Sequence, residues 1–192
     1  MSTSHGITGV DLTDDQYTVE QALIRNKYEA TNSRGEVVVR GKQKMLKMKE
    51  EFPFVDANDE EVFTVKAGGI IDVAGNYAVV DAETGDEVAV LDNDYSIMQD
   101  TWKIRDGRDE RLIARIDSRG AAVTLARNLV PYVGTLIPHK YEITDVDGDH
   151  VGSIEGQLSL KDRYEITIDD ASGVPKETVV AAAMVIDAIQ GN

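Results

Sequence analysis

Asp145, Asp147 and Asp149 alternate through the segment Asp145-Val146-Asp147-Gly148-Asp149, a spacing with which carboxylates can open a calcium loop. An EF-hand loop sets acids at positions 1, 3 and 5, Gly at 6 and Glu at 12. Counted from Asp145, the acids fit. Position 6 is His150, position 12 is Gly156, and Glu155 falls one place short. A hairpin turn accounts for the same residues, because Asp and Gly both favour turns. Calcium at these three acids is therefore the secondary reading.

The other reactive residue types are sparse. His5, His139 and His150 are the only histidines, and there is no cysteine. A zinc site needs three or four convergent ligands, and nothing in the spacing makes these histidines converge. The absence of Cys removes disulfides, thiol nucleophiles and thiolate metal sites. No GxSxG, P-loop or GxGxxG phrase occurs, and Gly68-Gly69 stand alone as a pair. Acidic pairs such as Asp14-Asp15, Asp59-Glu60-Glu61 and Asp169-Asp170 lie in turn-like stretches. Paired carboxylates do acid/base work only in a cleft that shifts their pKa values. The chain is expected to carry no catalytic residue, no resident metal and no cofactor.

One basic concentration remains: Arg40, Lys42, Lys44, Lys47 and Lys49, in the segment RGKQKMLKMKEE. On a strand, Arg40, Lys42 and Lys44 share one face. They are the candidate site for an anionic ligand or lipid headgroup. The bland alternative is lysine that blocks strand-edge pairing and keeps the surface soluble.

The background to that patch is strongly acidic, with a net charge of -15 and a pI near 4.5. Such a field repels nucleic acid, so no nucleic-acid partner is expected. It suits either plain solubility or a high-salt cytosol, where screening acts within about 3 Å at 1 M. The 192 residues are 42% hydrophobic and 29% charged, which describes one folded domain. Residues 1–16 lack a basic and apolar leader pattern and read as a flexible lead-in, with the domain over 17–192. These features point to a cytoplasmic protein.

The elements that must position these residues come from a repeated phrase: an aromatic, an apolar residue two places on, and Asp or Asn two places further. It occurs at Tyr28/Ala30/Asn32, Phe52/Phe54/Asp56, Tyr77/Val79/Asp81, Trp102/Ile104/Asp106 and Tyr141/Ile143/Asp145. Tyr164/Ile166 is a sixth copy whose acid, Asp169, comes one place late. The period of about 24 residues, broken by one wider gap, is that of a hairpin repeat. Alternation puts the aromatic and the apolar residue on one face, and the Asx residue starts a turn. The return arms are β-branched, as in Val37–Val39 and Val88–Leu91. An opening segment, Tyr17 to Ile24, reads as a further strand or a short helix. The gap from Asp117 to Lys140 reads as irregular strands or a crossover, giving about twelve strands.

The tail differs. Pro175 to Thr178 reads as a helix start, and the run TVVAAAMVIDAI is apolar on every side. Crossing a bilayer takes ~20 apolar residues, so this dozen, interrupted by Asp187, is too short. A helix over about 177–190 must then sit inside a core. A closed barrel around it buries the helix and removes sheet edges.

These features resemble the LURP-one-related proteins, relatives of the Tubby C-terminal domain and the phospholipid scramblases. The resemblance runs from about Tyr17 to Ile189. It is carried by YAVVDAETGDEVAVL at 77–91, WKIRD at 102–106, YEITDVDGDHVGSI at 141–154 and the tail VVAAAMVIDAI. It implies a twelve-stranded barrel around a central helix. Tubby relatives bind phosphoinositides through basic residues, but no matching motif lets those residues be carried over. The expected function is a non-enzymatic binding or scaffold protein, with a lipid headgroup, a small molecule or a protein as partner. The alternatives are a peripheral lipid-handling protein and an enzyme with a site at the barrel mouth.

Overall fold

A computed structural model describes residues 6–10, 12–21, 28–41, 51–68, 76–95, 100–118, 140–157, 163–169 and 174–190. Twelve antiparallel strands form a meander that closes on itself. They are β1 (Gln16–Gln21), β2 (Tyr28–Asn32), β3 (Val37–Gly41), β4 (Glu51–Val55), β5 (Glu61–Ala67) and β6 (Asn76–Asp81). There follow β7 (Glu87–Tyr95), β8 (Asp100–Asp106), β9 (Leu112–Ser118), β10 (Lys140–Asp145), β11 (His150–Gln157) and β12 (Arg163–Ile168). Every strand pairs with its neighbours in sequence, and β1 closes the barrel against β12. The helix α1 (Lys176–Gln190) follows. The expected fold is the observed one, and the opening segment is strand β1.

The repeated phrase explains the barrel in three levels. Its aromatic starts an even-numbered strand at one end, its apolar residue fills the middle, and its Asx residue ends the strand at the other. Tyr28, Phe52, Tyr77, Trp102 and Tyr141 are buried, and Tyr164 packs against the same core. Ala30, Phe54, Val79, Ile104 and Ile143 form the level below. Phe54 stacks on its register partner Phe63 at 4.5 Å. On the other side of Phe54 lies Gly41, where a Cβ would come within 3.1 Å of the ring.

Each Asx residue closes its hairpin twice. Its backbone N–H donates to the far arm, as from Asn32 to Glu36 O at 2.9 Å and from Asp106 to Arg111 O at 2.8 Å. Its Oδ1 accepts N–H groups within the turn: Arg34 and Glu36 on Asn32, Asn58 and Glu60 on Asp56, Glu83 and Thr84 on Asp81, Arg108 on Asp106, Asp147 and Asp149 on Asp145. The Asx side chain thus mimics a turn backbone.

All five hairpins also carry a bulge at one place, just after the apolar residue of the phrase. The unpaired residue on the return arm is Val38, Val62, Val88, Ile113 or Val151. A bulge re-aims a side chain that alternation would send outward. Val62 and Val151 are buried, and Val38, Val88 and Ile113 pack on the core. Their carbonyls reach the next hairpin: Val62 O accepts Ala82 N–H and Val88 O accepts Gly107 N–H. The Asx end is knitted together in this way.

Residues 6–10 and 12–15, part of the expected lead-in over 1–16, lie on that end. Ile7 and Leu12 are buried in the core, and Thr8 N–H donates to Asp81 Oδ2 at 2.6 Å. The helix starts there too, after Pro175, whose carbonyl accepts from Thr178 and Val179. Eight consecutive helix residues, Val179 to Ile186, are at most 3% exposed, so the helix is surrounded by barrel. Burying a Val, Ile or Met fully is worth about 1.5–3 kcal/mol. The wide gap between β9 and β10 and the side chain of Asp187 lie outside what is described. No described helix is long and apolar enough to cross a membrane.

Candidate functional site

Asp145 is the turn cap of the β10–β11 hairpin. Its Oδ1 holds the N–H groups of Asp147 and Asp149 at 2.9 Å each, as Asn32, a neutral residue, does in its own hairpin. Among the described residues, no three His, Cys, Asp or Glu side chains gather so as to hold a metal ion. His150 lies beside this turn. Its Nε2 is 2.7 Å from Asp169 Oδ2, and its Nδ1 is 3.2 Å from Glu142 Oε1. The two carboxylates approach opposite edges of the ring.

Arg40 is the one basic candidate within the described residues. Its guanidinium donates to Ala57 O at 2.7 Å and to Asp56 O at 3.3 Å, and pairs with Asp59 at 3.6 Å. It holds the β4–β5 turn against β3. Lys42, Lys44, Lys47 and Lys49 lie outside the described residues. The strand ends that their segment joins, Gly41 and Glu51, are at the aromatic end of the barrel.

Among the described residues, shallow clefts open at the Asx end. One, of about 600 Å³, is lined by Asp14, Asp15, Ser33 and Asp169 among others. Asp14, Asp15, Ser33 and Asp169 are all engaged. Asp14 Oδ2 accepts Ser33 Oγ and N–H, which hold its carboxyl below the usual range. Lys176 Nζ donates to Asp15 Oδ1 at 2.6 Å and to Asp14 O at 2.9 Å. Another, of about 520 Å³, lies around Val146 and Ile113. Tyr17 is buried nearby. Desolvation, with the charges of Asp14, Glu177 and Asp15, pushes its phenol up to about 12.

Tyr17 Oη at the Asx end lacks a hydrogen-bond partner among the described residues, and the aromatic end holds orphan polar groups that lie side by side. Asn93 on β7 and Trp102 on β8 are direct register partners, and both face the lumen, in step with Leu91 and Ile104. Asn93 is 8% exposed and Trp102 1%. Asn93 Oδ1, Asn93 Nδ2 and Trp102 Nε1 are all buried and have no hydrogen-bond partner among the described residues. Tyr77 stands beside them, its ring 6.0 Å from that of Trp102. Asn76 Oδ1 also lacks a partner, but alternation with Tyr77 turns it away from the lumen. Buried polar groups are nearly always paired, so an adjacent orphan amide and indole call for a partner, whether ordered water or another molecule.

Sequence reasoning did not find this pair. The return arm reads as Val88–Leu91, whereas β7 continues to Tyr95. The available signal was alternation itself: Asn93 is in phase with Ala89 and Leu91.

A search of the curated proteins returned no match. Among solved structures, the barrel is similar to an X-ray structure of an Arabidopsis thaliana protein, with a TM-score of 0.59. The two share 12% identity over 96% of this chain and 99% of that one, a likeness of fold. The LURP-one-related family matches residues 37–187, from β3 through most of the helix. The chain belongs to the LURP-one-related family.

Proposed function

We propose that this chain works by binding and not by catalysis, and that the aromatic end of the barrel is its working end. The observation that carries the reading is the orphan set Asn93 and Trp102, deep among the aromatics of the repeat. At the opposite end, turn N–H groups are taken up by Asx caps, and Ile7 and Leu12 cover the core. That division gives a frame fastened at the Asx end, with the orphan pair at the other.

The test is a native mass spectrum of the purified protein incubated with a mixture of small cellular metabolites. A discrete adduct that is released chemically unchanged is the expected result. No adduct, or release of an altered molecule, would contradict the reading.

A second reading, a peripheral anionic-lipid binder, is favoured by topology. The segment with Lys42, Lys44, Lys47 and Lys49 joins strands at the same end as the aromatics. Vesicles containing phosphatidylserine should then pull down the protein. Replacing those four lysines by Gln should abolish this, and unchanged sedimentation would sink the lipid reading.

A further inference from the structure

We propose that Asn93 and Trp102 recognise one uncharged amide or carboxylic acid group, carried on a small apolar body. This rests on the reading that the aromatic end binds a ligand, and names the class.

The two residues face each other across β7 and β8. Directly opposed side chains have Cβ atoms about 4.5–5.5 Å apart, close enough for one functional group to touch both. Trp102 Nε1 is a donor only, while the Asn93 amide offers two N–H donors and an acceptor oxygen. An amide or protonated acid places a carbonyl acceptor beside an N–H or O–H donor. Its carbonyl has two lone pairs and can accept from both Trp102 Nε1 and Asn93 Nδ2, and its N–H or O–H can donate to Asn93 Oδ1. All the orphan atoms are then satisfied by one group.

The charge of the ligand follows from the faces of the strands. The ionisable neighbours Asp92, Lys103 and Arg105 alternate to the outside, and Arg105 pairs with Asp92 there at 3.3 Å. No described cation faces the lumen beside Asn93, so a carboxylate would sit in an apolar site with no counter-charge. The surroundings of the pair are Tyr77, Leu91, Ile104 and Ile116, which suit a flat or aliphatic body.

The test is a thermal-shift titration of the full chain with benzamide, benzoate and toluene at pH 7. Benzamide should raise the melting temperature saturably and bind at least tenfold tighter than toluene. Benzoate should be weaker than benzamide and tighten as pH falls. Asn93→Leu should erase the preference for benzamide over toluene, and Trp102→Phe, which keeps the ring and loses the N–H, should reduce it. Equal binding of benzamide and toluene, or a preference intact in Trp102→Phe, would overturn the recognition pair while leaving a binding end in place. Binding of none of the three probes, with an adduct still seen from cellular metabolites, would overturn the class of ligand alone. A benzamide-soaked crystal with only water on Asn93 would also overturn it.

Discussion

The carboxylate of Asp81 accepts the backbone N–H of Thr8 at 2.6 Å, across 73 positions of the chain. Asp81 is the most buried of the repeated turn acids, at 1% exposure. Its other oxygen caps its own turn through Glu83 N–H, Thr84 N–H and Thr84 Oγ. One side chain thus closes a hairpin and fastens the residues that cover the Asx end. Asp81→Ala strands these donors and should cost about 3 kcal/mol in urea unfolding. Asp81→Asn should cost less, because Asn32 shows that Asn can cap the same turn. Hydrogen exchange at Thr8 should rise in both variants.

Stability should fall in acid, and Asp81 should account for part of the loss. Burial alone would raise its pKa, but the bonds from Thr84 and Thr8 outweigh burial and leave it below 3.8. A carboxyl lowered on folding adds stability above its unfolded pKa and loses it as pH falls through the folded one. The loss should begin near pH 4, and Asp81→Asn should flatten it. An unchanged acid limb in that variant would show that the other capped carboxylates, such as Asp56 and Asp14, dominate.

Glu87 should behave in the opposite sense. Burial, with the charge of Glu110, raises its pKa. A carboxyl raised on folding contributes stability at low pH and loses it as pH rises through the folded value. Glu87→Gln should therefore stabilise the protein at pH 7, with the gain shrinking toward pH 4. A melting temperature at pH 7 below that of the parent would contradict this.

Glycine substitutions should sort by what their new methyl meets. A Cβ on Gly152 would lie 2.2 Å from Thr167 O, which is backbone of the paired strand. Gly152→Ala should cost about 3 kcal/mol or more. On Gly41 the neighbour is the Phe54 ring, a side chain that can shift slightly. Gly41→Ala should cost about 1 kcal/mol. Urea midpoints in the reverse order would contradict the register of β11 against β12.

The helix position makes a sharper demand. Met184 is fully buried within the barrel. Met184→Asp places an unpaired charge there and should unfold the protein, at a cost of roughly several kcal/mol. Met184→Leu, which conserves volume, should cost less than about 1.5 kcal/mol. A native-like circular dichroism spectrum for Met184→Asp would rule out a helix in the lumen.

The barrel was legible because one phrase encodes three things at fixed offsets. The aromatic and the residue two places on share the inward face, and the Asx side chain stops the strand by bonding its own turn. The bulged Val or Ile of each return arm was visible only as β-branched composition. Its inward turn depends on a register shift that no pattern of period 2 reports. Tyr164 and Ile166 repeat the phrase on β12 but lead to the helix, and Asp169 meets His150 instead of capping a hairpin. Ile7 and Leu12 were missed because an irregular segment has no period, and their burial comes from the barrel they cover. The candidate site was legible only in its aromatics. Asn93 is a polar residue in an apolar phase, and its lack of a partner is a property of three-dimensional surroundings.

Trp102 is the single tryptophan of the chain and half of the proposed recognition pair. Its fluorescence, titrated with benzamide in the parent and in Asn93→Leu, tests the central claim most directly. A saturable change in emission that weakens at least tenfold in Asn93→Leu is the predicted result. No saturable change in the parent, or one of equal affinity in Asn93→Leu, would contradict it.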